Sequence, residues 1–298
     1  MGSYLGLDVG TTTVTAIVVN SETGDVLSRA TEPNDSEITS GQDKKLGRSE
    51  WDAGRVLEIV RVVLRQVTES GREVGAVRPI DTIGPIGAIE PIRGIGVTGQ
   101  MHGMLLVDDA VQPVGPFIGW QDQRASDARA NASGTVISDL LETVESVDVE
   151  GHVCRPKTGY LGATLAWLDT HNKLPTDSFL ATFLPDFVAA RLTDSKPVTD
   201  ATNAAGSGLF DVATRSWHQP LLDRLGLIPD LLPAVVESGS QAGQLSRQWK
   251  DTGLGSRVPV CVASGDNQAS FLGSVREPDE TVLVNVGTGG QVSVSAST

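Results

Sequence analysis

The segment SGDNQAS, residues 264–270, places a carboxylate, Asp266, directly after a glycine and an apolar run. The apolar run at 258–263 is typical of a buried strand, so Asp266 is predicted to stand where a strand ends. Gly and Asp are common in turns, and a simple turn explains the pair. A carboxylate held rigidly at a strand end can also accept a proton from an alcohol, which is general base chemistry.

Two glycine-threonine turns have a common plan, in LDVGTTTVT (7–15) and VNVGTGGQV (284–292). In each, an apolar strand is followed by Gly-Thr and a β-branched strand. Such a turn can present backbone N–H groups and hydroxyls to an anion, and Asp8 before the first turn can hold Mg²⁺ through waters. Two ordinary hairpins are the alternative. The chain has no GxxxxGK[ST] or GxGxxG segment, which excludes a P-loop or a dinucleotide fingerprint.

The elements that must position these residues follow from hydrophobic periodicity and turn signals. Strands at 4–10, 13–20 and 26–30 form a predicted antiparallel meander, followed by a helix at 53–70. Strands are predicted at 94–98 and 104–107, and helices are predicted at 120–131, 136–147, 161–171, 177–192 (interrupted near Pro185) and 221–225. A domain boundary is predicted near 250, dividing the chain into 1–250 and 251–298. Beyond it the pattern predicts a strand at 258–263, a helix from Asn267 and strands at 281–286 and 291–295.

Charge, cysteine content and the apolar runs argue against a nucleic-acid-binding, membrane-bound or secreted protein. The chain has 298 residues and a net charge of −14, which argues against binding to nucleic acid or to anionic membranes. Its two cysteines, Cys154 and Cys261, form no disulfide or zinc pattern and fit a reducing compartment. The chain shows no secretion signal and no apolar run near the ~20 residues of a membrane span. These features predict a cytoplasmic protein.

Seven segments carry a resemblance to the FGGY carbohydrate kinases, in the order of that family. They are YLGLDVGTTTVTAIVVN, GVTGQMHGMLLVDD, IGWQDQRA, TGYLGATLAWL, ATNAAGSGLFDVATRSW, ASGDNQASFLGS and VLVNVGTGGQV. The chain looks most like the ketose kinases, of sedoheptulokinase or xylulokinase type. The resemblance implies an α/β fold of two ribonuclease-H-like domains, as in the actin, hexokinase and Hsp70 superfamily, with a mixed sheet in each.

The resemblance also implies roles for single residues. Asp266 matches the catalytic base and Asp8 the residue that holds Mg²⁺. ATP phosphates are implied to bind at Gly10, Thr11, Thr12 and Thr13 and at Gly287, Thr288 and Gly289. The sugar is implied to contact Gln100, Met101, His102, Trp120, Asp122, Arg124 and Asn267.

The chain departs from the family in length, because the family's chains continue well beyond residue 298. The resemblance implies that most of the second domain and the glycine-rich adenine segment lie outside these 298 residues, so the strands after 258 are predicted to be uncovered and a homodimer is expected to bury them. Three hypotheses remain open: a ketose kinase given as a partial chain, a remnant that binds sugar or a partner without phosphoryl transfer, and an actin-like ATPase of another class. The last does not explain TGQMHG or WQDQR.

Overall fold

The computed structural model describes residues 2–73, 91–128, 133–177, 179–255, 257–286 and 290–295. The helices in these ranges are Gly41–Lys45 (α1), Ala53–Glu73 (α2), Val136–Val147 (α3), Leu161–Thr170 (α4), Leu184–Thr193 (α5), Ala201–Ala205 (α6), Gln219–Leu225 (α7) and Asp266–Ser274 (α8). Short 3-10 helices lie at Arg124–Ser126, Pro229–Leu231, Arg247–Thr252 and Pro278–Glu280.

The strands in the same ranges are numbered in chain order. They are Ser3–Val9 (β1), Thr13–Asn20 (β2), Val26–Pro33 (β3), Glu50–Trp51 (β4), Ile92–Gly99 (β5), Leu105–Val107 (β6), Phe117–Ile118 (β7), Leu180–Thr182 (β8), Val198–Asp200 (β9), Phe210–Asp211 (β10), Ser216–Trp217 (β11), Ala234–Val236 (β12), Gln241–Gln244 (β13), Pro259–Cys261 (β14), Ser264–Gly265 (β15), Val282–Val286 (β16) and Gly290–Val294 (β17).

The main sheet has the order β13-β14-β5-β1-β2-β3, and β15 also pairs with β5. The predicted meander is confirmed, since β1, β2 and β3 pair antiparallel. The chain then passes through α2 to β5, which pairs with β1 in parallel, as β14 and β15 pair with β5. This mixed sheet confirms the α/β, ribonuclease-H-like fold.

Helices α2 and α5 cover one face of the sheet. The alternating residues Leu5, Leu7 and Val9 of β1 are buried in the same core as the apolar side of α2. That side confirms the helical spacing of the sequence: Val56, Ile59, Val60, Val63, Leu64 and Val67 are all buried. The opposite face of β1 carries the exposed residues Tyr4 and Asp8. A second core forms around α3, α4 and α7.

Two predicted helices are wrong in part. Instead of a helix from residue 120, the described chain has only the 3-10 turn Arg124–Ser126, because the Gln123 N–H bonds to Gly47 and the Arg124 N–H to the Asp122 side chain. Instead of a helix from residue 177, the chain forms β8 and then α5, in which Pro185 occupies the first turn. Proline fits that position because its missing N–H would have no partner there.

The main sheet extends past residue 250. Strands β14 and β15 both pair with β5, so the sheet of the first predicted domain continues across the boundary placed near 250. After α8, β16 and β17 form a separate hairpin. Its valines Val282, Val284, Val292 and Val294 are exposed, as expected for uncovered strands. For the strand predicted at 258–263 the same expectation is wrong, because Val258, Val260 and Ala263 are buried in the core of the main sheet. None of the helices in the described ranges is both long and apolar enough to span a membrane.

Candidate functional site

A cavity of about 480 Å³ opens where the parallel strands β1, β5 and β15 end. Ligands of α/β sheets bind in the crevice outside the carboxyl ends of strands, and the residues that follow these three strands all reach the cavity. The cavity is lined by Thr11, Gln100, Met101, His102, Trp120, Cys154, Tyr160, Thr202, Ala205, Gly206, Asp266, Asn267, Gln268 and Gln291.

The structure brings together seven of the residues singled out from the sequence. These are Thr11, Gln100, Met101, His102, Trp120, Asp266 and Asn267. Asp8 lies beside a second, more apolar cavity on the open face of the sheet. Asp122 and Arg124 line neither cavity.

Asp266 is the first residue of α8 and directly follows β15. Two side chains fix the backbone that leads to it. Thr98 Oγ1 donates to the Ser264 carbonyl at 2.9 Å, and Asn203 Nδ2 donates to the Ala263 carbonyl at 3.3 Å. The carboxylate is therefore carried on a segment held from both β5 and α6.

Gly265 is favoured here by space and not by backbone freedom, because the side chains of Met101 and Gln268 lie close to it. Its φ of −62° and ψ of 140° suit any residue. A Cβ at this position would lie 2.5 Å from Met101 Sδ, far inside contact distance. The small size of this glycine lets Met101 pack directly against the segment that carries Asp266.

Burial and the nearby carboxylate of Asp8 raise the pKa of Asp266 to about 6. The register explains the proximity, since Asp8 and Ser264 both pair with Thr98 from opposite sides of β5. Although Asp8 is exposed in part, desolvation by the surrounding protein raises the pKa of its carboxyl too. A carboxyl that titrates near 6 can take up and release a proton near neutral pH, as a general base must.

His102 forms one wall of the cavity in a fixed orientation. Its ring stacks on Tyr160 with centroids 4.2 Å apart, and Nδ1 lies 3.0 Å from the Gly206 carbonyl. Because a carbonyl only accepts, Nδ1 carries the proton. Burial lowers the pKa of His102, which favours the neutral ring. Nε2 is then a hydrogen-bond acceptor.

A chain of hydrogen bonds joins Trp120, Thr11 and Gln100. Trp120 Nε1 donates to Thr11 Oγ1 at 3.1 Å, and Thr11 Oγ1 donates to Gln100 Oε1 at 3.3 Å. Thr11, predicted from the sequence as a phosphate-turn residue, therefore also connects two residues of the predicted sugar pocket.

Asp122 and Arg124 form a buried ion pair. Arg124 donates from Nε to Asp122 Oδ1 at 2.8 Å and from one terminal nitrogen to Glu50 at 2.6 Å. Asp122 also accepts the Ser49 N–H at 2.8 Å. All charges of the pair are used inside the protein, so this structure gives them a role in holding the segment after Trp120 and no contact with the cavity.

The first glycine-threonine turn is braced from the end of β3. The Gly10 N–H donates to the Thr13 carbonyl at 3.0 Å. Asn34 holds the turn from outside, donating from Nδ2 to the Gly10 carbonyl at 2.9 Å and from its N–H to the Thr12 carbonyl at 2.8 Å. The Gly10 and Thr12 carbonyls of the turn thus both accept from Asn34. The second predicted turn, Gly287, Thr288 and Gly289, lies outside the described residues.

Among the described residues, no cluster of three or more His, Cys, Asp or Glu side chains could hold a metal. Asp8 supplies a hard carboxylate oxygen at the end of the strand that leads into the first turn. This fits Mg²⁺, which commonly binds one or two carboxylates and completes its shell with phosphate oxygens and waters.

Several residues around the site carried no individual prediction, among them Asn34, Tyr160, Thr202 and Gly206. The last three lie in the segments TGYLG and ATNAAG, which were noticed only as part of the resemblance. Asp200 before that second segment is a helix N-cap residue, accepting from the N–H groups of Thr202 and Asn203. An Asp followed by small residues could have indicated a helix start, but nothing in it points to the cavity.

Comparison with known proteins gives the family. Residues 3–273 match the FGGY family of carbohydrate kinases, N-terminal domain. Among curated relatives, the chain is 28% identical to a xylulose kinase of Staphylococcus xylosus, covering 100% of this chain and 56% of that protein. It is also 28% identical to the sedoheptulokinase of Mus musculus, over 98% of this chain and 58% of that one.

Solved structures agree on the fold. The structure of ligand-bound xylulose kinase from Lactobacillus acidophilus aligns with a TM-score of 0.78 at 20% identity, over 98% of this chain and 54% of that chain. The chain thus spans little more than half the length of the relatives it matches. With a family match over nearly its whole length, the chain belongs to the FGGY family of carbohydrate kinases, in the part that forms the N-terminal domain.

Proposed function

We propose that this chain provides the sugar-binding part of an ATP-dependent kinase that phosphorylates a terminal hydroxyl of a ketose, of xylulose or sedoheptulose type. The observation that supports the proposal is the position and pKa of Asp266. Its carboxyl has a pKa of about 6 and lines the cavity at the ends of three parallel strands. A non-catalytic sugar binder would have no use for a tuned carboxyl there.

The other cavity walls suit a polyol. Trp120 and Met101 supply apolar surface for the carbon chain, while His102 Nε2 offers an acceptor. Asn267 Oδ1 is buried without a partner among the described residues and offers a second acceptor. Each of these two acceptors can take the proton of a sugar hydroxyl, and neither carries a competing charge.

The phosphates of ATP are assigned to the first turn. Asn34 holds the Gly10 and Thr12 carbonyls, and the N–H groups of Thr11 and Thr12, which have no acceptor among the described residues, would bind the phosphates. Asp8 would hold Mg²⁺ at this edge. The ion, when bound with ATP, neutralises charge that develops on the phosphate oxygens.

The chemical step would use Asp266 as follows. The oxygen of the sugar hydroxyl forms a bond to the γ-phosphorus while the bond from that phosphorus to the β–γ bridging oxygen breaks, releasing ADP. The hydroxyl proton passes to Asp266. In-line positioning of the two reactants supplies much of the rate.

We also propose three features of organisation. The second domain begins after α8, because β14, β15 and the family match all extend past residue 250. The exposed valines of β16 and β17 would be covered by that domain or by a second copy of the chain. Cytoplasmic location fits two free thiols, Cys154 and Cys261.

The experiment replaces Asp266 by Asn in the kinase with both domains present. Loss of a general base lowers kcat by about 10²–10⁴-fold while ketose affinity changes little. Asn34→Ala, which loosens the phosphate turn and leaves the base, should act mainly on the KM for ATP. If Asp266→Asn keeps kcat within about threefold of the wild-type value, Asp266 is not the base.

A further inference from the structure

Gln100 presents a buried amide donor that has no partner. The side chain is only 3% exposed and lines the cavity, yet Nε2 makes no hydrogen bond to any described residue. Buried polar atoms almost always have a partner, and each exception calls for an explanation. At the wall of a binding cavity, the explanation that fits is a ligand atom that accepts.

The direction of this donor is fixed by the bonds on the other side of the amide. The indole N–H of Trp120 can only donate, so Thr11 Oγ1 accepts from it at 3.1 Å. The single proton of the Thr11 hydroxyl then goes to Gln100 Oε1 at 3.3 Å. With its oxygen held in this way, the amide directs both Nε2 protons away from Thr11.

The backbone of Gln100 is fixed as well. Its N–H donates to the Val9 carbonyl at 3.0 Å, which ties the residue to the end of β1. Together with the Thr11 bond to Oε1, this restrains the amide before a ligand binds, so the donor is partly preorganised. Preorganised groups bind more tightly because less freedom is lost on binding.

We propose that Gln100 determines specificity by recognising an oxygen that only accepts, namely the carbonyl oxygen of an open-chain ketose, and that Thr11 and Trp120 act as positioning residues that set the amide. This inference rests on the proposed function and names the substrate atom that binds to the Gln100 side of the cavity. A carbonyl takes the Nε2 protons and has no proton of its own to place. A hydroxyl at the same point must find a further acceptor, and leaving its proton unpaired is costly.

The test compares a ketose with its reduced forms. Reduction of the xylulose carbonyl gives xylitol and arabinitol, which keep the carbon chain and the other hydroxyls. Calorimetric titration of the 298-residue chain is expected to give xylulose an affinity at least about tenfold above either polyol, the effect of one unpaired polar group. Gln100→Glu replaces the donor by an oxygen of the same shape and should reduce this preference to threefold or less.

Thr11 provides a matched pair of variants. Thr11→Ser keeps the hydroxyl and should keep the tenfold preference, whereas Thr11→Val frees the amide to rotate and should lose most of it. Melting temperatures of all variants show that each is folded before its affinities are compared.

The outcomes separate this proposal from the proposed function. A folded wild-type chain that binds none of the sugars overturns the proposed function, and this inference with it. Equal affinity for xylulose and the polyols overturns only the role of Gln100. A tenfold preference that persists in Thr11→Val, or in Gln100→Glu, shows that the hydrogen-bond chain does not set specificity.

Discussion

Thr202 Oγ1 accepts a hydrogen bond of 2.8 Å from the backbone N–H of Gly265, the residue before Asp266. The same hydroxyl donates to Asp200 Oδ1 at 2.6 Å, and Asp200 is fully buried. Because its proton is used by the carboxylate, the Thr202 oxygen offers only lone pairs to Gly265. The start of α6 thus fixes the peptide that carries the candidate base.

Replacing Thr202 by Val should loosen this peptide. The Gly265 N–H loses its acceptor, so its hydrogen exchange should accelerate by about fivefold, corresponding to a net hydrogen bond of ~1 kcal/mol. Thr202→Ser retains the oxygen and serves as the control, with exchange close to the wild-type rate. Equal Gly265 exchange rates in the Val and Ser variants would rule out the contact as a restraint.

Asp266→Asn should make the protein more stable at high pH. The folded carboxyl titrates near 6 and the unfolded one near its ordinary 3.8. Between these values the folded state binds more protons, so its stability falls as pH rises through that window. Asn carries no charge to desolvate and escapes this loss.

Urea unfolding at several pH values measures the effect. The gain in free energy of unfolding from Asp266→Asn should be near zero at pH 3.8 and below, grow as pH rises to 6 and level off above it. A variant that is less stable than the wild type at pH 8, or a gain independent of pH, would contradict the raised pKa and its cause.

Gly206→Ala should weaken ketose binding through His102. A Cβ at Gly206 would lie 2.7 Å from His102 Nδ1, so the ring must move out of its hydrogen bond and its stack on Tyr160. We expect an affinity lower by about tenfold, the loss of one hydrogen bond to the sugar.

Gly273→Ala is the matched control. Gly273 lies in α8, with no atom within 4 Å of an added Cβ. Alanine there should leave ketose affinity unchanged and stabilise the protein by ~0.5–1 kcal/mol. If both glycine variants bind ketose alike, the position of His102 does not matter for the sugar.

Asp122→Asn should act on stability and not directly on the sugar. It leaves the Arg124 guanidinium buried with Glu50 as its remaining anionic partner. Breaking a buried pair typically costs ~3–5 kcal/mol. Asp35→Asn is the control, since the Asp35–Arg55 pair is exposed and surface pairs are worth ~0–1 kcal/mol. Equal free energies of unfolding for the two variants, with a large loss of ketose affinity only in Asp122→Asn, would support the sequence assignment instead.

The meander and helix α2 could be predicted from the sequence, because alternating apolar residues mark the buried face of a strand and helical spacing marks the buried side of a helix. Val56 to Val67 recur on one side of a helix, and tertiary contacts only confirm that pattern. Pro185 marked a break, but whether strand or helix precedes it depends on β6, which pairs with Leu180–Thr182 and is distant in sequence. Long-range pairing of that kind leaves no local periodicity.

The site was predictable only in part, for a related reason. Asp266 and His102 could be predicted because they lie in segments that resemble those of the FGGY kinases. Arg124 was assigned to the sugar through the resemblance of its segment, yet in the structure its guanidinium pairs with Asp122 and Glu50. Thr202 acts through one hydroxyl on a peptide that is 63 positions away, a contact that only the fold reveals.

Calorimetric titration of this 298-residue chain tests the account most directly, with xylulose, sedoheptulose, ribulose, glycerol, gluconate and MgATP as ligands. Saturable binding of xylulose or sedoheptulose at one site is the predicted result, with MgATP weaker than about 1 mM because phosphate contacts in an open cleft are weak. No saturable ketose binding by the folded chain, or a preference for glycerol or gluconate, would contradict the account.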